Sequence, residues 1–397
     1  MPSRETFAYR RNLKLRAQKA VETEDSAIDN VFSRAQDDFL TFCTLLDKPP
    51  ARHMLEWHRE LITGESNKYL LDIAGPNLDI LSPRGSAKST VLNLFTAWVI
   101  GRHTQAGRPL QIIYCSYNIA TAIPKSRIIK QIIDASTFKK IFPRVKLKAG
   151  MQSDIGWSVD FDYAGIDRIG DEEFTLRAAG LRGSITSKRA HLVIVDDPIK
   201  SSSDIKNPAV REEMNNNWSS VIAPIVFEGG RSICLGTRFH PLDIHKTMFV
   251  PQKGWKQVAQ EALTYDKEGE PISYWPEQWS VEYLQGQKEL DPVAFAYQYQ
   301  QQPVMTSDLV LSPDLIVKGT VETEFDSLAV GIDLSASKNE TSDYTAFVLG
   351  GRLKDKYYVI DAHQVRSIGN LEKIDLLCDM LVEWGILELQ NDVYFPT

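Results

Sequence analysis

Short apolar runs alternate with amphipathic segments through most of this chain. The apolar runs predict strands at residues 78–81, 110–115, 174–179, 192–195 and 232–235. The amphipathic segments predict helices at residues 28–46, 54–62, 88–103, 120–133 and 210–221. Apolar strands separated by helices are typical of a mostly parallel sheet that is covered on both faces. The pattern therefore predicts an α/β fold.

The pattern changes after residue 303. Residues 303–325 show no sustained period and contain the predicted linker. Three closely spaced strands and one helix are predicted beyond it, at 328–334, 345–350, 357–360 and 371–384. We therefore expect an N-terminal arm, a large α/β domain, a linker and a small α/β domain. Their predicted bounds are 1–27, 28–305, 306–325 and 326–397.

Composition is that of a globular protein, but the charge is unevenly distributed. The 397 residues include 45 Lys+Arg and 52 Asp+Glu, a net charge of −7, and 43% are hydrophobic, which excludes a fibrous or wholly disordered chain. Residues 321–397 hold 14 acids and 6 bases, so the first 320 residues are nearly neutral. The arm is basic and reads either as a solvated terminus or as a phosphate-contacting segment. Its basic residues are Arg4, Arg10, Arg11, Lys14, Arg16 and Lys19.

Cysteine spacing and hydropathy predict the compartment. The four cysteines lie far apart, without the CxxC spacing of a zinc knuckle, which favours a reducing environment. No apolar run reaches the roughly 18 residues that span a bilayer, and no signal-peptide core is present at the start. We expect a cytoplasmic protein without a membrane partner.

A candidate phosphate loop follows the first predicted strand. A phosphate loop needs backbone N–H groups around a phosphate, a lysine that reaches the β- and γ-oxygens, and a hydroxyl on Mg²⁺. Lys88 and Ser89 supply the last two, although Ser82 and Ala87 replace both glycines of the standard pattern. The alternative is a chance strand, turn and helix. The candidate nucleotide-binding residues are Ser82, Pro83, Arg84, Gly85, Ser86, Ala87, Lys88, Ser89 and Thr90.

Two carboxylates at the end of a later apolar strand strengthen this interpretation. In nucleotide-hydrolysing sheets the first such acid holds the Mg²⁺ shell and the second polarises the attacking water. These roles fall to Asp196 and Asp197, which favours ATP with Mg²⁺ as cofactor. The alternative is a buried strand capped by a turn, because Asp-Asp-Pro is also good turn chemistry.

Two further sites are weaker. Thr237 and Arg238 follow the next strand, where a polar residue near the γ-phosphate can sense hydrolysis, although a glycine turn with a solvated arginine is the alternative. Trp57 precedes the phosphate strand and either packs against adenine or lies in the core.

These segments, in this order, resemble the large terminase subunit of tailed bacteriophages, the ATP-driven motor that packages DNA. The loop at 82–90 is similar to the deviant Walker A of that family, whose internal arginine, here Arg84, is implicated in hydrolysis. Residues 180–183 and 192–198 look like its Walker B region, and 236–238 resemble its coupling motif. The resemblance implies a P-loop NTPase core, in which Asp197 stands where many members have glutamate.

The resemblance extends in part to the tail. Residues 330–334 and 342–346 resemble the opening hairpin of the family's RNase H-like nuclease, which cuts DNA with two divalent metals, Mg²⁺ or Mn²⁺. It implies Asp333 as the central metal ligand, with Asp343, Asp361 and Glu388 as further candidates. For Asp343 and Asp361 the alternative is a solvated cap at the end of a strand. The family pattern calls for acids beyond these, so we expect an incomplete RNase H-like domain with weak or absent cleavage.

The resemblance also implies function and partners. It implies a motor that moves double-stranded DNA into a procapsid, as a homo-oligomer on the portal protein, with the small terminase subunit as partner, in the host cytoplasm. Two alternatives remain from the sequence. One is a helicase or another nucleic-acid translocase on the same core, and the other is a truncated prophage remnant that binds nucleotide or DNA without turnover.

Overall fold

The chain folds into two compact units, which the structure, a computed structural model, describes over most of their length. The units comprise Met1–Asp308 and Leu309–Thr397. The described residues are 30–166, 174–183, 185, 189–303, 319, 324–335, 344–365, 369–390 and 393–396, with the side chains of 387–390 and 393–396 excluded. The predicted basic arm and most of the predicted linker lie outside these ranges.

An eight-stranded sheet organises the first unit. Its strands are β1 (Asn77–Leu81), β2 (Ile112–Ser116), β3 (Leu147–Gln152), β4 (Gly156–Val159), β5 (Leu176–Gly180), β6 (Ala190–Asp196), β7 (Val226–Gly236) and β8 (Trp255–Ala259). Their order across the sheet is β3-β4-β5-β2-β6-β7-β1-β8. The pairs from β5 to β8 are parallel, and β3 and β4 extend the β5 edge antiparallel. The carboxyl ends of β1, β6 and β7 consequently meet at one edge.

Helices and short turns cover both faces of this sheet. They are α1 (residues 30–37), α2 (Phe39–Leu45), α3 (Leu55–Ile62), α4 (Lys88–Gln105), α5 (Ile119–Asp134), α6 (Ser136–Ile141), α7 (Phe161–Ala164), α8 (Ser202–Lys206) and α9 (Pro208–Asn217). Successive residues of one strand enter different cores: Leu192 and Ile194 join one cluster, whereas Val193 and Val195 join another. Alternation between two apolar cores is what a sheet buried on both faces requires, so the predicted α/β fold class is confirmed.

The rest of the first unit packs beside the sheet. A hairpin of β9 (Leu263–Tyr265) and β10 (Pro271–Ser273) precedes α10 (Val281–Leu290) and α11 (Pro292–Gln298). Leu284 of α10 and Phe295 of α11 share a small apolar cluster with Leu263. No helix in the described part of the chain is both long and apolar enough to cross a membrane.

The second unit contains a three-stranded antiparallel sheet and one helix. Its elements are β11 (Ser327–Asp333), β12 (Thr345–Leu353), β13 (Lys356–Val365), α12 (Asn370–Glu383), β14 (Leu387–Gln390) and β15 (Val393–Pro396). β11, β12 and β13 form a meander, whereas β14 and β15 pair only with each other among the described strands. The three strands and the helix agree with the sequence prediction, while the RNase H-like assignment stays a prediction.

Several short strands were missed by the sequence pattern. β3 and β8 lie at the two edges of the large sheet, and at least half of the residues in each are exposed. An edge strand that is partly exposed to solvent lacks the continuous apolar run that marks a central strand. Its position is decided by pairing with its neighbour, which a local pattern does not record.

Candidate functional site

The candidate phosphate loop connects β1 to α4, as the sequence predicts. The chain turns through Ser82–Ala87 and enters α4 at Lys88. Gly85 and Ala87 both have left-handed backbone conformations, with φ of 78° and 62°. Ala87 thus adopts the conformation that the second glycine of the standard pattern would take. The first N–H groups of a helix largely lack intrahelical acceptors, which makes the start of α4 a suitable place for an anion.

Lys88 is folded back onto this loop. Its side chain is buried, and its Nζ donates to the carbonyl oxygens of Ser82 at 3.1 Å and Pro83 at 3.0 Å and to Thr237 Oγ1 at 2.9 Å. Nζ lies 4.0 Å from Asp197 Oδ1. Burial lowers the pKa of Lys88, and the charges of Asp197 and Asp196 oppose that shift. The lysine is therefore held at the mouth of the loop by acceptors that a phosphate oxygen can replace.

Asp196 ends β6 directly beside the start of α4. Ser89 Oγ donates to its Oδ1 at 2.9 Å, and Tyr114 OH donates to its Oδ2 at 3.1 Å. Lys125 Nζ lies 3.4 Å from Oδ2. Only 1% of Asp196 is exposed, and burial together with the neighbouring Asp197 charge raises its pKa. A hydroxyl and a carboxylate in contact are a fitting pair of hard oxygen ligands for Mg²⁺.

Asp197 is far more open than its neighbour. Its side chain is 45% exposed, and its backbone has a φ of 46°. Its N–H donates to the carbonyl oxygen of Leu235 at 2.9 Å, which holds the strained turn against β7. The two adjacent acids therefore occupy different environments, one buried and hydrogen-bonded, the other facing solvent.

Thr237 and Arg238, which follow β7, make different contacts. Thr237 touches the phosphate loop, because its Oγ1 donates to the Ser82 carbonyl at 3.1 Å and accepts from Lys88. Arg238 turns the other way, and its Nε donates to Asp243 Oδ2 at 2.8 Å. Its Nη2 bonds the carbonyl oxygens of His240 and Pro241. The structure thus brings Thr237 to the predicted site and engages Arg238 in an internal ion pair.

The outer residues of the phosphate loop contact solvent or an aromatic side chain. Arg84 is exposed, and its Nη1 donates to Gln298 Oε1 at 3.4 Å. Its backbone N–H donates to the Gln298 carbonyl at 2.9 Å, which ties the loop to α11. Gly85 lies under Trp279, where an added Cβ would come within 3.0 Å of the indole. The backbone conformation favours glycine at this position, and a larger residue would also press against Trp279.

Trp57 lies in the core, with 0% of its surface exposed. Its ring meets His53 edge-on at 5.2 Å, and His53 Nε2 lies 3.2 Å from the Ser86 carbonyl oxygen. This is the position of a core tryptophan, the alternative that the sequence left open. Contact between Trp57 and a nucleotide base stays a prediction, and it would require this packing to open.

A buried polar network lies beneath the loop, and the sequence did not indicate it. Asp79 of β1 accepts from His245 Nδ1 at 2.9 Å and from Gln257 Nε2 at 2.8 Å. The Cys234 thiol also hydrogen-bonds to this carboxylate. Burial opposes the charged imidazole, but the Asp79 charge and hydrogen bond prevail and raise the pKa of His245. The network joins β1, β7 and β8, so it fixes the strands from which the loop and Thr237 project.

The position of His245 also explains why a glycine stands at position 236, the end of β7. A Cβ on Gly236 would approach His245 Cε1 to 2.7 Å, too close for any side chain. Tyr114, Lys125 and His245 are site residues that sequence reasoning missed. Each comes from an element that only the folded sheet brings to this edge, and no local motif marks it.

The candidate nuclease residues are not brought together to the same extent. Asp333 pairs with Ala346, and Asp361 pairs with Leu349, in one regular stretch of the β11–β12–β13 sheet. An offset of three residues places the two carboxylates on opposite faces. Asp361 Oδ2 accepts from Trp384 Nε1 at 2.7 Å, and this hydrogen bond and that of His363 lower the pKa of Asp361. Asp343 and the Glu388 side chain lie outside the described residues.

A curated relative bears out the resemblance that the motifs indicate. No family model matches the chain. The large terminase subunit of enterobacteria phage T3 is 24% identical over 283 residues, which cover 67% of this chain and 44% of that protein. The chain therefore spans less than half the length of this relative.

Several solved structures similar to the chain are large terminases. The ATPase domain of the Thermus phage P74-26 large terminase, in a mutant form, has 13% identity and a TM-score of 0.42, and the match covers 66% of this chain and 98% of that domain. The large terminase of a thermophilic bacteriophage, in complex with ATP-γ-S, has 11% identity and a TM-score of 0.39, covering 84% and 74%. The HK97 bacteriophage large terminase has 17% identity and a TM-score of 0.36, covering 79% and 65%.

Proposed function

We propose that this chain hydrolyses ATP in a Mg²⁺-dependent reaction at the carboxyl edge of the large sheet. The observation that carries the proposal is the convergence of three separate segments on the loop: Lys88 of α4 donates to Thr237 after β7, and the adjacent Ser89 donates to Asp196 of β6. A lysine, a hydroxyl and a buried carboxylate at a strand-to-helix loop are the set that a nucleoside triphosphate requires. The hydrogen-bonded contacts favour this interpretation over a chance strand, turn and helix.

The residues take distinct roles in this proposal. Ser89 and Asp196 would hold Mg²⁺, which neutralises charge on the phosphate oxygens. Lys88 would exchange its carbonyl acceptors for phosphate oxygens. Asp197, the solvent-facing acid, would orient the attacking water and accept its proton. Arg84, at the outer edge of the loop, would add positive charge beside the phosphates. Thr237 would sense hydrolysis of the γ-phosphate through its hydrogen bond with Lys88.

Similarity to the phage T3 protein supports a proposal for the wider activity. We infer that the chain is part of a DNA-packaging motor, a large terminase subunit that uses ATP to move double-stranded DNA into a procapsid. Its partners would be the portal protein, the small terminase subunit and further copies of itself. The proposal rests on 24% identity over a part of that relative and on the order of the motifs along this chain.

ATP turnover with and without double-stranded DNA tests this function. We expect turnover that DNA stimulates, and a loss of about a hundredfold or more in Lys88→Ala and in Asp196→Ala, because each removes charge from the phosphate site. The matched controls are Lys139→Ala and Asp154→Ala, which remove one member of surface ion pairs on α6 and before β4. Unchanged turnover in Lys88→Ala would overturn the proposal. A turnover rate that is the same with and without DNA would overturn the motor assignment.

A further inference from the structure

Lys125 is a basic residue of the site that no sequence motif marks. It lies on α5, which follows β2, and its Nζ is 3.4 Å from Asp196 Oδ2. Its side chain is 28% exposed, whereas Asp196 is 1% exposed. The flexible Lys125 side chain thus extends from the partly exposed surface of α5 and places its charge beside a buried carboxylate.

A buried carboxylate needs a compensating charge or a set of donors. Ser89 and Tyr114 donate neutral hydrogen bonds to Asp196. Within the described ranges, Lys125 is the one cation in ion-pair distance of it. Lys88, the other lysine here, directs its Nζ to the Ser82 and Pro83 carbonyls and to Thr237. Lys125 is therefore the cation in direct contact with Asp196, whereas Lys88 acts on this carboxylate at longer range.

We propose that Lys125 is a positioning residue that neutralises Asp196 before a divalent cation arrives, so that the site accepts a nucleotide without metal. The inference rests on the proposed nucleotide site. An incoming triphosphate carries several negative charges and would be repelled by an unbalanced carboxylate beside Ser89. With a divalent cation held by Asp196, the charge of Lys125 is no longer needed there, and its partly exposed side chain can move away toward solvent.

Lys130 provides a matched control on the same helix. It lies five positions further along α5 and bonds Asp154 Oδ1 and the Gln152 carbonyl, at 2.6 Å and 2.9 Å. Its removal deletes the same charge from the same element without touching Asp196. A difference between the two variants therefore reports the contact with Asp196.

The experiment is a titration with a fluorescent, non-hydrolysable ATP analogue at about pH 8, where free carboxylates are ionised. Dissociation constants are measured in excess EDTA and in excess Mg²⁺. For Lys125→Met we expect affinity in EDTA to fall about tenfold, the effect of one partly exposed charge pair, and affinity in Mg²⁺ to stay within about twofold. Lys130→Met should match the wild type in both buffers, and Lys125→Arg should restore binding in EDTA.

The outcomes separate this inference from the proposed function. Equal losses for Lys125→Met in both buffers, or no loss in either, would overturn the role of Lys125 while leaving the nucleotide site intact. Failure of Lys125→Arg to bind in EDTA would also overturn it, since the charge is retained. A wild-type chain that binds no analogue in Mg²⁺ would overturn the proposed function itself.

Discussion

Single residues of the phosphate loop show how a weak motif can still produce a binding conformation. Ala87 has a φ of 62° and a ψ of 26°, the left-handed region that glycine occupies without strain. Alanine pays about 1 kcal/mol or more for this conformation. A residue in a strained conformation persists only where its surroundings hold it, and here the Lys88 contacts and the start of α4 do so.

Replacing Ala87 should reveal that strain. We expect Ala87→Gly to leave the free energy of unfolding unchanged or raise it by up to about 1 kcal/mol, and Ala87→Val to lower it by about 1–2 kcal/mol, because a β-branched side chain is worse in this region. Urea unfolding measures both. The control is Ala97→Gly inside α4, which should cost about 1 kcal/mol or more, because it lowers helix propensity and also removes a buried methyl group from the core. A loss in Ala87→Gly as large as that of the control would refute the argument.

At the level of elements, α4 connects the site to the other end of the sheet. Its N-terminus forms the phosphate loop, and its C-terminal turn holds the segment before β1. His103 Nδ1 donates to the Val99 carbonyl at 2.8 Å, and Nε2 accepts the Leu71 N–H at 3.0 Å. An N–H can only donate and a carbonyl can only accept, so these contacts require the neutral imidazole. Burial lowers the pKa of His103 to about 4.

Stability should consequently fall on acidification. The unfolded imidazole titrates near 6.5 and the folded one near 4, so between these values the unfolded state binds more protons and stability declines as the pH falls. His58, whose pKa is lowered to about 4 by burial, contributes in the same direction. We expect His103→Gln to flatten this decline by up to about 1.4 kcal/mol per pH unit. Urea unfolding between about pH 4 and 7 measures it.

A control for this prediction is available on the same helix. Thr104 is buried and carries no titratable group, so Thr104→Ala should lower the free energy of unfolding about equally at every pH and leave its pH dependence unchanged. A pH profile for His103→Gln that runs parallel to that of the wild type would show that His103 does not titrate in this range on unfolding.

At the scale of the whole molecule, the two units differ in how fully a site is assembled. In the first unit the site residues are in direct contact. In the second, Asp333 and Asp361 lie on opposite faces of a three-stranded sheet. Two metal ions that share a phosphate need ligands converging from one side. The geometry thus favours weak cleavage by this part of the chain.

A plasmid nicking assay with Mg²⁺ or Mn²⁺ tests the nuclease prediction. We expect weak or no cutting, about the same for the wild type and for Asp333→Ala, because the two described candidate acids, Asp333 and Asp361, do not converge from one face on two ions. Asp326→Ala serves as a control acid near the start of β11, where its carboxylate accepts the Lys354 N–H. Strong cutting that disappears in Asp333→Ala and persists in Asp326→Ala would contradict the prediction.

Much of the first unit was predictable from local pattern. The apolar runs that became β1, β2, β5, β6 and β7 are central parallel strands, and such strands are apolar on both faces, so periodicity marks them well. The loop residues, Asp196 and Thr237 could be identified because each follows directly on such a strand. The edge strands β3 and β8 could not, since at least half of the residues in each are exposed and only pairing defines them.

The sequence alone therefore established the α/β class and identified the phosphate loop, Asp196 and Thr237 as candidates, because strand periodicity and motif spacing are local properties. Only the tertiary structure placed Tyr114 and Lys125 on Asp196, engaged Arg238 with Asp243 and buried Trp57 in the core. It also separated Asp333 from Asp361 through strand register. These relations depend on which strands are neighbours and which face a side chain takes, and burial and hydrogen bonding across the whole sheet decide both.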